Sequence, residues 1–119
     1  MIRTSNGEYA LKYTYNALCA YEEKYGRSLV PDTRKAGFTV LRGLVWAGLL
    51  HLNPNNPMTE KQVGELLEDA VQCGMDILDI RQEINNAILD ATFMQRLMEK
   101  TNERLTSSRE KANVKSSAT

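Results

Sequence analysis

The chain has 119 residues, 42% of them hydrophobic and 25% charged. That length suits one domain with a single core, and the composition excludes disordered and collagen-like classes. Fifteen Lys and Arg balance fifteen Asp and Glu, so the formal net charge is zero; the chain lacks the overall basic excess with which nucleic-acid binders displace counterions from phosphates.

In chain order, Asn6-Gly7 reads as a turn, and Tyr9, Leu11 and Tyr13 fall on one side of Glu8–Thr14. This alternation predicts a short strand, one arm of a small hairpin with residues 1–5. Thr14 stands where an N-cap belongs, ahead of Tyr15, Leu18, Cys19, Glu22 and Tyr25 at helical spacing. Gly26 is a natural stop, so a first helix is expected over 15–25. Residues 27–37, with Pro31, Asp32, Thr33 and Gly37, read as a connecting loop with room for a single helical turn.

From Phe38 to Leu52 the apolar residues wrap nearly the whole helix circumference. A helix of that kind is buried on most sides, which predicts the centre of the core. Gly43 and Gly48 each cost a helix about 1 kcal/mol relative to Ala, so close approach by a neighbouring element is their expected use. Pro54 and Pro57 end the helix. Thr59-Glu60-Lys61-Gln62 is a capping box, followed by Val63, Leu66, Leu67, Ala70 and Val71 on one face and by Gly74 as the stop.

A last, long helix is expected from about Asp76, with Ile77, Ile80, Ile84, Ala87, Ala91, Met94 and Met98 in heptad steps. Two readings of this stripe stay open. It packs against the first three helices, or its distal half projects and pairs with a second copy or a partner, a use that suits adaptable methionines. Beyond Leu105 the chain is polar, and residues 106–119 are expected to form a flexible tail after a single helical domain over 1–105. The fold class is thus mainly α: four helices with a short N-terminal strand or hairpin.

Zero net charge hides an ordering. Residues 1–54 carry 7 basic and 4 acidic side chains, residues 55–90 carry 2 and 8, and residues 91–119 carry 6 and 3. Most such runs are solvated helix faces, yet segregated charge also steers partners. Glu65, Glu68, Asp69, Asp76, Asp79 and Glu83 are placed to flank a groove beside the stripe and set the register of whatever docks there.

Signs of chemistry are sparse. The single histidine, His51, stands at a helix end, where it is expected to meet free carbonyls and the negative end of the dipole. The carboxylates form no acid-base pair, and a di-iron bundle needs more than one histidine. No glycine-rich phosphate loop is present. Tyr9, Tyr13, Tyr15, Tyr21 and Tyr25 fit an amphipathic core edge better than a base-stacking platform. Cys19 and Cys73 have no metal-ligand spacing and read as buried free thiols in a reducing cytosol. No catalytic residue, metal or cofactor is expected. Neither a signal pattern nor an apolar run of about 20 residues is present, so a cytoplasmic protein with no membrane partner is expected.

The stretch Leu11-Lys12-Tyr13-Thr14-Tyr15-Asn16-Ala17-Leu18-Cys19-Ala20-Tyr21-Glu22-Glu23, followed by Gly26-Arg27-Ser28-Leu29, resembles the opening of the small tail assembly chaperones of long-tailed phages, prophages and gene-transfer agents. So do Leu41-Arg42-Gly43-Leu44-Val45-Trp46-Ala47-Gly48-Leu49-Leu50-His51, an Asn-Pro loop, and Thr59-Glu60 with Val63-Gly64-Glu65-Leu66-Leu67-Glu68. Residues 8–73 carry the resemblance. It implies a mainly helical, non-enzymatic protein of the host bacterial cytoplasm, absent from the finished virion. Such a protein binds the helical tape-measure protein, shields its apolar surfaces and helps recruit tail-tube protein, in many systems through a longer frameshift product. The alternative is a structural head-tail or tube-associated adaptor that stays in the particle; a nucleic-acid-binding regulator trails both.

Overall fold

A computed structural model describes residues 1–35, 37–91 and 96. Among these the chain is mainly helical, with a short antiparallel strand pair at its N-terminus. The strands β1 (Ile2–Thr4) and β2 (Gly7–Tyr9) pair in the register Ile2↔Tyr9, Arg3↔Glu8 and Thr4↔Gly7. The turn is closed by Thr4, whose hydroxyl donates to the Gly7 carbonyl at 3.0 Å and accepts from the Asn6 amide at 3.2 Å. The strand expected over Glu8–Thr14 therefore stops at Tyr9.

The reason lies in the partners of residues 10–14, which run as a strap along α3 (Phe38–Leu49). The Lys12 amide donates to the Gly48 carbonyl at 2.9 Å, and the Tyr13 hydroxyl donates to the Leu44 carbonyl at 2.7 Å. His51 Nε2 lies 2.7 Å from the Ala10 carbonyl, and because that carbonyl only accepts, Nε2 carries the proton. His51 thus ties the strap to the helix end instead of bonding its own helix's carbonyls.

Helix α1 (Tyr15–Tyr25) begins where expected, with the Thr14 hydroxyl accepting from the Ala17 amide at 3.1 Å, and stops at left-handed Gly26. The loop after it contains α2 (Leu29–Asp32), one turn that brings the α-helices among the described residues to five. Helix α3 tightens into a 3₁₀ turn over Leu50–Leu52 before the Asn-Pro loop. Helix α4 (Glu60–Gln72) opens on the Thr59/Gln62 capping box, both halves of which are formed. It ends in a Schellman motif: the Met75 amide reaches the Ala70 carbonyl, the Gly74 amide reaches Val71, and Gly74 takes a φ of 104° that a side chain would strain. Asp76 and Asp79 then form a second reciprocal box that starts α5 (Ile77–Asp90).

Helix α3 is the hub, packing against α1, α4 and α5. Eight of its residues are buried, from Leu41 and Gly43 through Leu49. An added Cβ at Gly43 would stand 3.0 Å from the Tyr25 ring, and one at Gly48 would stand 3.0 Å from both Leu11 and Tyr13. Both glycines are close-approach points, as the sequence predicts. Trp46 packs edge-on to Tyr25, donates its indole N–H to the Met58 carbonyl at 2.9 Å, and carries Lys24 Nζ 4.9 Å from its ring centre.

The hairpin is secured from three sides. Ile2 is fully buried and β1 lies on α4, while Ser5 donates from both its amide (3.0 Å) and its hydroxyl (2.6 Å) to the Asp69 carboxylate. The α-amino group of Met1 meets Glu83 on α5.

One helix unbroken from Asp76 past Met94 is not what the fold contains. Helix α5 ends at Asp90, and Ala91 is extended at φ −66°, ψ 135°. Met94, Met98 and the expected tail over 106–119 lie outside the described residues.

Candidate functional site

The Gly74–Asp76 break sets two apolar helix ends at one corner. Val71 lies in the last turn of α4, and Ile77 and Leu78 open α5 three residues after Gly74. Met75, between them, is buried and fixes the turn. Phe38, the first residue of α3, arrives at the same corner because α3 and α4 pack together and Phe38, Arg42, Gly64 and Val71 line one groove.

That groove encloses about 420 Å³ and continues past the shared residues Val71 and Ile77 into a second hollow of about 450 Å³ beside Leu78. Phe38 is 72% exposed, Leu78 75%, Val71 48% and Ile77 39%. Ile80, almost wholly buried, forms part of the floor. A volume of this order is typical of ligand clefts, and large apolar side chains gathered at one exposed site are the usual mark of a docking surface.

Charge is distributed unevenly around it. At one end Arg42 is held 3.3 Å from Glu60, which Lys24 also approaches at 3.2 Å, so the Arg42 charge is matched within the fold. Of the other lining charges, Glu68 stands on the groove itself and Asp76 on the adjoining hollow beside Leu78. Among the described residues Glu68 has no cation within ion-pair distance.

The expected partner-binding residues are split by this geometry. Ile77 lines the groove. Ile80, Ile84 and Ala91 are buried and Ala87 is half-buried, because α5 turns the stripe toward α3. From Ile80 onward the described part of the stripe is intramolecular core, the first of the two readings the sequence leaves open, and only Ile77 remains at the docking surface. Of the flanking acids, Glu68 stays at the groove. Glu65 is exposed beside a separate polar hollow, together with Asp69. Asp69 is engaged by Ser5 and by the Cys73 thiol at 3.4 Å; the Ser5 bonds hold its carboxyl below its ordinary pKa.

Periodicity does not single out Phe38, Val71 and Leu78 as a set, since each lies on a different helix. Their common signal is position: a first residue after a glycine, or a residue flanking a helix break, lies beyond the ends of the core. Cys73 is exposed and Cys19 half-buried, which corrects the buried-thiol expectation. Cys73 sits at the C-cap of α4, where no neighbouring helix covers it.

The one buried charged side chain among the described residues is Asp32, 2% exposed at the end of α2. Its Oδ2 accepts from the Tyr21 hydroxyl (2.7 Å) and Arg27 Nε (2.8 Å), and Lys35 Nζ lies 2.9 Å from Oδ1. Burial alone would raise this carboxyl's pKa, but the three donors outweigh it and hold the group well below its ordinary value. Tyr21 is pushed up to about 12 by burial and by Asp32. Both carboxylate oxygens are taken by structural partners, which makes the cluster a staple between α1 and α2. Tyr13 is likewise buried, and no row of exposed rings forms a stacking platform from Tyr13, Tyr21 and Tyr25.

Among the described residues no three His, Cys, Asp or Glu gather as metal ligands, and no helix is long and apolar enough to cross a membrane. No protein-family model, curated protein or solved structure matches the chain.

Proposed function

We propose that this protein is a phage tail assembly chaperone that binds the tape-measure protein and assists tail-tube assembly in the host cytoplasm. The observation that carries the reading is the open apolar groove at the corner of α3, α4 and α5, where Phe38, Val71, Ile77 and Leu78 face solvent. A helix laid in a groove docks through apolar residues at i, i+3, i+4 and i+7, and a long helical client offers that pattern repeatedly. The resemblance over residues 8–73 supplies the client's identity. A holdase needs binding surface and no reacting groups, consistent with Asp32, His51 and Asp69 each being spent on internal contacts.

Co-expression with the tape-measure protein of the same genome tests the reading. The expected result is a soluble client and a complex that survives gel filtration. An insoluble client with no co-eluting complex refutes it, and finding the chain in purified particles points instead to the retained adaptor.

A further inference from the structure

We infer that the groove selects an amphipathic helix whose apolar stripe is flanked by Lys or Arg, the basic flank lying against Glu68 and Asp76. This deepens the chaperone reading and rests on it for the identity of the client, but its physical basis is the groove alone.

The walls formed by Phe38, Val71, Ile77 and Leu78 are apolar, so affinity has to come from buried side chains; the rim supplies orientation. Arg42 on the groove is already matched by Glu60. Glu68 on the groove and Asp76 on the adjoining hollow are both exposed carboxylates, and one Asp76 oxygen accepts from the Asp79 amide. A helix entering with acidic flanks would set like charges against this rim and leave them partly desolvated, whereas basic flanks complete it. The wider setting has the same sign, since residues 55–90 carry 8 acidic against 2 basic side chains. Segregation of charge inside a neutral chain thereby becomes a filter on partners.

Two synthetic helical peptides test this. Both carry Leu at i, i+4 and i+7; one has Lys beside the stripe and its twin has Glu at the same places. Binding to the full chain is read by fluorescence anisotropy. The Lys peptide is expected to bind at least about fivefold tighter at low salt, with the gap closing near 0.5 M salt. Glu68→Lys, an exposed change that touches no cap, is expected to narrow or invert the preference, and Leu78→Glu to weaken the Lys peptide most of all. Equal binding of the two peptides, or a preference that Glu68→Lys leaves intact, overturns the inference. So does a wild-type dimer that Leu78→Glu makes monomeric, which assigns the groove to a second copy. If the Lys peptide binds as described and the tape-measure protein is still insoluble on co-expression, the groove chemistry stands and the chaperone reading falls. A solubilised client with no charge preference gives the reverse.

Discussion

At the scale of single residues, Asp32 rests on contacts invisible in linear spacing, and Gly48 on a close approach that the sequence predicts without naming its partner. Asp32 is buried because Tyr21, Arg27 and Lys35 replace the water it loses. Arg27 and Lys35 are half-exposed and can turn to solvent if the carboxylate is removed, whereas the Tyr21 hydroxyl cannot. Asp32→Asn is therefore expected to cost about 2 kcal/mol at pH 7, less than breaking a fully enclosed ion pair. The folded-state pKa lies below the unfolded one, so the stabilisation is complete above the unfolded value, about 3.9, and is lost as pH falls through the folded one. Urea unfolding at pH 7 and at successively lower pH checks this: the gap between wild type and variant should shrink only below about pH 4. A gap that is constant with pH shows that the charge is not what stabilises. Gly48→Ala gains about 1 kcal/mol of helix propensity but sets a methyl 3.0 Å from Tyr13, whose ring is buried and whose hydroxyl is tied to Leu44. With no room for Tyr13 to give, the expected net result is a loss of about 1 to 2 kcal/mol, measured by the same denaturation. A stabilised variant would show that the strap yields.

At the scale of elements, the helix boundaries were legible and their partners less so. Thr14, Gly26, the Thr59/Gln62 box and Gly74 act through neighbours within five residues, and all four behave as the sequence predicts. Caps are local chemistry. The strand expected over Glu8–Thr14 fails at Tyr9 because the Lys12 amide and the Tyr13 hydroxyl that follow donate to α3, a partner more than thirty residues away. The same holds for the last helix. Its stripe was visible, but whether it faced α3 or a partner depends on tertiary packing that spacing does not encode, and Ala91 leaves the helix at a point no glycine or proline marks. The α4–α5 corner depends most on a single residue. Gly74→Ala is expected to lose about 1 to 2 kcal/mol because φ of 104° is strained for any side chain. Thr59→Ala, which removes one half of a cap, is expected to lose about 1 kcal/mol. Thermal unfolding of the two variants ranks them. Only Gly74→Ala should also weaken whatever docks in the groove, since it alone sits between Val71 and Ile77.

For the whole molecule, the division of apolar residues between core and groove separates stability from binding, and the first turns of the helices make that separation measurable. Ile84 is buried against the hub, so Ile84→Asp places an unpaired charge in the core at an expected cost above about 4 kcal/mol, comparable to the total stability of a domain this size. It should yield an unfolded or aggregated chain. Phe38 and Leu78 are equally apolar but lie in the first turns of α3 and α5, where backbone N–H groups favour a negative charge. The first turn of α3 carries no acidic residue. Phe38→Glu is thus expected to leave the unfolding midpoint unchanged or raise it slightly, because it loses little burial and gains a dipole interaction; Leu78→Glu, set between Asp76 and Asp79, offsets that gain with like charge and is expected to stay near the wild-type midpoint. Both should nonetheless abolish co-elution with the client. Circular dichroism melts alongside gel filtration of the co-expressed pair read the two quantities separately. Variants that melt like wild type and still hold the client would move the binding surface away from this corner, and variants that melt many degrees lower would show that Phe38 and Leu78 belong to the core.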